Sequence, residues 1–289
     1  MNLGIFSHCT VDEIRIGADA YERPGGPAFY CGLAARRLGF DVHLCTKFSK
    51  DYAYSDLLSK NKIKFENAVS DRPTTKFTLE INDTERTLWL NNVCSEIEYR
   101  HVDADGILVS PVFNEVSPQT LDKIKKDSAM TFLDPQGFLR RTDPHNKVFF
   151  ERTNLDISGI SVIKSDPNEV YCLTGLDGID GVNMMRKNVE HVLYTNKRDV
   201  SLFHKNREYS LRLPNMELYD TSGVGDIFTA TFCCTLLKEK DVLWALSFAG
   251  GAAQAALESR EVGLDKIPPR AATETNASYF YNTIKFKDI

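Results

Sequence analysis

A chain of 289 residues has room for one large α/β domain or two small ones. Its hydrophobic content of 42% and charged content of 26% are those of an ordinary globular protein. A net charge of −5 argues against a general binder of nucleic acid or of anionic membranes, and no run of 18 apolar residues offers a membrane span.

Residues 3–6 read as a first strand, entered at once with no charged leader. Asp12 follows it, and residues 13–15 look like a further short strand ahead of Gly25-Gly26. Residues 28–38 have the pattern of a helix, with Gly39 as its C-cap. A strand at 42–48 and a helix at 54–61 come next. Residues 75–81 and 84–90 alternate around Asn82-Asp83, which reads as a hairpin. Strands at 106–110, 130–133, 160–164 and 189–195 then alternate with helices at 118–127, 168–174 and 178–187. A second hairpin pairs 200–204 with 208–213 around 205–207. Apolar segments at 227–237, a buried helix, and at 242–257, broken by Gly250-Gly251, precede a tail whose last residues, 283–289, are expected to fray. The alternation predicts βαβ units around a mostly parallel sheet, with ligands at the carboxyl ends of its strands. With no linker, repeat or low-complexity tract, residues 1–289 are expected to form one domain.

Seven cysteines are scattered with no C-x-x-C pair, which points to buried reduced thiols in a cytoplasmic protein. Six histidines stand singly along the sequence, so a histidine metal site is not expected.

The most informative segment is Asp220-Thr221-Ser222-Gly223-Val224-Gly225-Asp226, directly before the apolar helix. A helix start exposes unpaired N–H groups and attracts anions. Glycines there let the backbone approach a phosphate closely. An acid at that place is a poor phosphate ligand, but it suits a base that takes a proton from a hydroxyl attacking the phosphate. A Gly-rich turn with an aspartate cap is the plainer use of the same residues.

This stretch resembles the C-terminal signature of the PfkB carbohydrate kinases, of the ribokinase-like superfamily, with Val224 in the usual alanine position. Gly25-Gly26, followed by a helix that ends in Leu38-Gly39, is similar to the N-terminal signature of that family. The resemblance implies a three-layer α/β ribokinase-like fold, with a mostly parallel central sheet flanked by helices. It also implies a small β-strand lid built from about 13–24 and 72–92. The implied activity is ATP-dependent phosphoryl transfer to a small sugar or polyol. Asp226 would be the base, and Gly223, Val224 and Gly225 would supply the anion-binding amides.

Residue by residue, the resemblance implies that Asp12, Gly25, Gly26 and Tyr30 meet the acceptor. Tyr30 stands where the family usually has asparagine, which is similar to small archaeal members acting on myo-inositol or related compounds. Gln136 and Arg140, after the strand at 130–133, are candidates for substrate or phosphate contact, since a guanidinium forks onto phosphate oxygens. Asp166 and Glu169 take the places of a pair that organises magnesium largely through water, and they also read as a helix capping box. Thr195 and Lys197 lie where the family places a glycine-containing nucleotide loop, here without its glycines. Thr221, Gly223, Gly225, Gly250 and Ala253 complete the implied nucleotide contacts. The expected cofactors are ATP and Mg2+, and a homodimer through the lid is expected. Two alternatives stay open: a nucleoside or sugar-phosphate acceptor stacked on Trp89, Phe77 or Tyr30, and a ligand-binding homologue that has lost catalysis.

Overall fold

Short apolar strands alternate with helices along the chain, and this rhythm sets the architecture. The computed structural model describes residues 1–17, 19–82, 85–216 and 220–289. In chain order, β1 (Asn2–Phe6) leads into β2 (Thr10–Ile16) and β3 (Asp19–Gly25). Then come α1 (Pro27–Arg37), β4 (Asp41–Cys45), β5 (Phe48–Ser49), α2 (Ser55–Lys60), β6 (Lys64–Phe65) and β7 (Val69–Ser70). The pair β8 (Thr75–Asn82) and β9 (Glu85–Asn92) precedes β10 (Gly106–Val109), α3 (Pro118–Asp127), β11 (Thr131–Leu133) and α4 (Gln136–Leu139). Next are β12 (Arg140–Thr142), β13 (Val148–Phe150), β14 (Val162–Ser165), α5 (Pro167–Thr174) and α6 (Gly178–Met185). The strands β15 (His191–Asn196), β16 (Asp199–His204) and β17 (Arg207–Arg212) follow. The chain closes with α7 (Val224–Glu239), α8 (Val242–Glu258), a 3₁₀ turn (Gly263–Lys266), α9 (Arg270–Thr283) and β18 (Lys285–Asp288).

Among the described residues the central sheet runs in the order β18-β17-β16-β15-β14-β11-β10-β1-β4-β6. From β15 to β6 neighbouring strands are parallel, whereas β15 through β18 pair antiparallel. Parallel register brings the ends of β1, β10, β11 and β14 to one rim, so the segments that follow them meet there.

Helices cover both faces. On one face Phe29, Phe232 and Phe280 join a core with α1, α7, α8 and α9; on the other, Val109, Ile124, Ile163 and Val182 form a second cluster under α3, α5 and α6. Each such side chain contributes about 2 kcal/mol by leaving water. Helix α7 is buried from Ile227 to Leu237, which explains its apolar composition on all sides. A Cβ on Gly251 would lie 2.6 Å from the Thr273 carbonyl, so glycine there lets α8 and α9 touch backbone to backbone.

A second, mixed sheet has the order β3-β2-β8-β9. Here β2 and β8 are parallel and the outer pairs antiparallel. It is the small sheet expected at about 13–24 and 72–92, with a full hairpin in place of one short strand around 13–15. Asp83 of the expected Asn82-Asp83 turn lies outside the described residues.

Four features depart from the sequence reading. The strand expected at 42–48 stops at Cys45, because the Phe48 N–H bonds the Ala68 carbonyl and Phe48–Ser49 pairs with β7 instead. Helix α9 and the hairpin β12–β13 were not anticipated. The tail does not fray: Lys285–Asp288 pairs antiparallel with β17 from Ser210 back to Arg207. Its alternating charges read as solvated, yet backbone pairing needs no apolar side chains. All seven cysteines are free and buried.

Candidate active site

At the strand-end rim, under the small sheet, lies a cavity of about 230 Å³. The small sheet contributes Ile14, Phe77, Leu79 and Leu88 to its roof; the polar lining includes Asp12, Asp134, Gln136, Arg140, Lys164 and Asp226. The structure thus brings together Asp12, Gly26, Tyr30, Gln136, Arg140, Gly223, Gly225 and Asp226, which come from four separate stretches of sequence.

The helix-start loop shows why glycine is placed as it is. Gly223 has φ +72°, a left-handed conformation, and a Cβ there would fall 2.4 Å from the Tyr30 ring. A Cβ on Gly225 would meet nothing nearer than the Lys164 Nζ at 3.9 Å, so the space beside its backbone is open. The Ser222 N–H donates to the Asp220 carboxylate at 2.8 Å. A Cβ on Gly25 would overlap the Asp12 carboxylate at 1.8 Å, so glycine here makes room for that side chain.

Electrostatics separate the acids. No donor among the described residues hydrogen-bonds the Asp226 carboxylate. Burial, reinforced by the Asp134 charge and opposed by Lys164 and Arg140, pushes its pKa up to about 7. Burial likewise lifts Asp12 to about 6, although it accepts a hydrogen bond from the Thr10 hydroxyl at 2.8 Å and faces Arg140 and Arg23. Burial also pushes the Tyr30 phenol well up, so it stays protonated and keeps its donor.

Arg140 donates to the Gln136 side chain at 2.7 Å and to the Val112 carbonyl at 3.2 Å, and its guanidinium lies over Phe77. Its buried Nε has no hydrogen-bond partner among the described residues. Lys164, at the end of β14, donates to Asp134 at 3.1 Å and lies 3.8 Å from Glu169. Against burial, Asp134 and Glu169 hold the Lys164 ammonium above its ordinary value. Sequence reading assigned no role to Asp134 or Lys164. The available signal was a lysine interrupting the apolar run Val162-Ile163 and an aspartate just past a strand end.

Asp166 and Glu169 form the capping box in full: the Glu169 N–H donates to Asp166 at 2.9 Å, and the Asp166 N–H donates to Glu169 at 2.8 Å. The small sheet is latched to the loop 220–226 by Arg86 of β9, which donates to the Thr221 hydroxyl at 2.6 Å. Arg23 of β3 adds an ion pair with Asp220 at 3.5 Å. Thr195 and Lys197 lie farther along the rim, at the β15–β16 turn, and do not line the cavity. Gly250 and Ala253 are buried in α8, where a Cβ on Gly250 would come within 2.9 Å of Leu211.

Among the described residues one cluster, Glu190, His191 and His204, has metal-ligand chemistry. It sits at the opposite end of β15. Its two imidazoles stack 4.3 Å apart with planes 4° from parallel, so their in-plane lone pairs do not converge on one point.

The profile of the pfkB family carbohydrate kinases matches residues 9–268. No curated protein sequence matches the chain. Among solved structures, a pyrophosphate-dependent kinase in the ribokinase family, in its sulfate complex, is similar with a TM-score of 0.82 at 18% identity, covering 94% of this chain and 99% of that one. Such a kinase complexed with a pyrophosphate analog and myo-inositol gives a TM-score of 0.80 at 18% identity, with the same coverages. Arabidopsis thaliana ribokinase, complexed with ribose and ATP, gives 0.76 at 17% identity, covering 96% of this chain and 98% of that one. At these identities the structures show the fold, an α/β ribokinase-like architecture with a separate small sheet. With the profile spanning most of its length, the chain belongs to the PfkB family of carbohydrate kinases, phosphotransferases with an alcohol acceptor.

Proposed function

We propose that this chain moves the terminal phosphoryl group of ATP to a hydroxyl of a small sugar or polyol, with Asp226 as general base. The observation that carries the reading is the Asp226 carboxylate. Among the described residues it has no hydrogen-bond donor, and it lines the cavity next to Gly225, whose backbone borders open space. Burial places its pKa near the working pH of a base, at about 7. An acceptor held by Asp12 and Tyr30 presents a hydroxyl to Asp226, which removes the proton as the oxygen attacks the phosphorus in line. The Gly223 and Gly225 amides, with Arg140 and Lys164, receive the charge that spreads over the transferring group, whereas the expected Val224 N–H is engaged by the Thr221 carbonyl at 3.3 Å. The roof formed by Phe77, Leu79 and Leu88 excludes water while the Arg86 and Arg23 latches hold the small sheet down.

Magnesium fits this site as a hydrated ion. Glu169 is buried, with one oxygen on the Asp166 N–H and Lys164 at 3.8 Å, so it would hold an ion through water; Asp166 is partly exposed and closer to solvent. When bound, magnesium would neutralise charge on the donor phosphates.

The cavity of about 230 Å³ is smaller than the roughly 300–1,000 Å³ of drug-sized sites. This favours a single-ring polyol over a nucleoside. A second donor, pyrophosphate, is favoured by two observations. Gly250, expected beside the nucleotide, is packed against Leu211, and the turn at Lys197 has no glycine. Two of the three similar kinases named above are pyrophosphate-dependent, while the third is in complex with ATP. A product-release screen of ATP and of pyrophosphate against inositols, pentoses, hexoses, sugar phosphates and nucleosides separates these readings. In the active pair, Asp226→Asn should keep acceptor binding and lose turnover by roughly 10²-fold or more. Near-normal turnover in that variant would remove the mechanism.

A further inference from the structure

We propose that Lys266 is a positioning residue, a tethered cation that fixes the aim of the anion-binding amides; this rests on the phosphotransfer reading above. Lys266 has 0% exposure, although it sits on a short 3₁₀ turn far from the loop in sequence. Its Nζ donates to the Asp220 carbonyl at 2.8 Å and to the Ser222 carbonyl at 2.9 Å, and pairs with the Asp220 carboxylate at 2.7 Å. Three N–H donors meet three oxygens, all from the two residues that flank Thr221.

The planarity of the peptide unit turns this cage into an aiming device. The Ser222 carbonyl and the Gly223 N–H belong to one rigid trans plane and point in opposite directions. Pinning the carbonyl on Lys266 therefore fixes the N–H on the other side, at the start of α7. The Asp220 carboxylate extends the brace: one oxygen accepts the Ser222 N–H at 2.8 Å, the other the Gly263 N–H at 3.0 Å. The 3₁₀ turn and the anion loop are thus bolted together at both ends of the turn. A neutral donor could hold one carbonyl, but a buried positive charge holds three oxygens and also adds a fixed favourable potential behind the amides. Burial pulls the ammonium below its ordinary pKa, and the Asp220 carboxylate opposes that pull.

The cage is what a small monovalent cation would bind if the side chain were absent, and the test uses this. In the wild-type protein, exchanging potassium for sodium or choline at fixed ionic strength should leave kcat unchanged; dependence on a soluble cation would overturn the proposal. Lys266→Ala should lower kcat roughly tenfold to hundredfold, with the acceptor KM within about twofold, as expected for misaimed groups. Ammonium, methylammonium or potassium should restore much of the loss in Lys266→Ala, but not in Lys266→Met, where the side chain fills the hole. A folded Lys266→Ala protein with wild-type kcat, or one that no cation restores, refutes the role. Should the wild-type protein turn over no donor–acceptor pair, the phosphotransfer reading fails by itself. Calorimetric binding of pyrophosphate to wild type and to Lys266→Ala, with and without ammonium, then still decides whether Lys266 aims the amides.

Discussion

Replacing Asp226 by asparagine should make the protein more stable as well as inactive, and the gain should depend on pH. The carboxylate rises from an ordinary value of 3.8 to about 7, chiefly through burial. At about 1.4 kcal/mol per pH unit, that difference corresponds to roughly 4 kcal/mol. Asp226 is partly exposed, so solvent screening brings the figure to about 2 kcal/mol. The folded-state pKa is the higher one, so the folded protein binds more protons between pH 4 and 7. Stability is therefore lost as pH rises through that window, and the full cost applies above 7. Asparagine has no such titration. Urea unfolding should show Asp226→Asn ahead by about 1 kcal/mol at pH 5 and about 2 kcal/mol at pH 8, the latter a rise in Tm of roughly 3–6 °C. Equal stability at pH 8, or an advantage of the same size at both pH values, would refute the reading of Asp226 as a desolvated carboxylate of raised pKa.

The pH dependence of kcat/KM should rise through about 7 and level off above it, because Asp226 in the proposed role of base needs to be deprotonated; a profile flat from pH 5 to 8 contradicts this. Lys164→Met leaves Asp134 and Glu169 buried without their cation, so unfolding experiments should record a loss of roughly 3–5 kcal/mol. Gly223→Ala places a methyl against the Tyr30 ring at a φ of +72°, and should cost roughly 1–3 kcal/mol of stability along with most of the turnover. Arg86→Ala removes the latch on Thr221 and should raise the acceptor KM several-fold with little change in Tm, read from steady-state kinetics and thermal melts.

What the sequence discloses here is what is local. The loop 220–226 and the helix behind it, the capping box at Asp166 and Glu169, and the strand–helix alternation all lie within a few residues of one another, so their spacing alone displays them. The groups that complete the site join residues far apart. Asp134 meets Lys164 across neighbouring parallel strands, 30 residues on, and Lys266 meets Asp220 across 46. Register decides such pairings, and no short pattern encodes register between parallel strands. Helix α9 escaped notice because its outward side chains mix Tyr279 and Tyr281 with polar residues, while only Thr273, Ala277 and Phe280 are buried.

The last strand has a bearing on how the protein is handled. By pairing with β17, Lys285–Asp288 occupies hydrogen-bonding positions that would otherwise recruit a strand from another molecule, and its own outer rim carries Lys285 and Lys287, charges that discourage such recruitment. Trimming the chain after Thr283 would uncover the stretch from Arg207 to Ser210 as a bare template. A shortened form should therefore clump at concentrations where the 289-residue chain stays dispersed, so an affinity handle belongs at the opposite terminus.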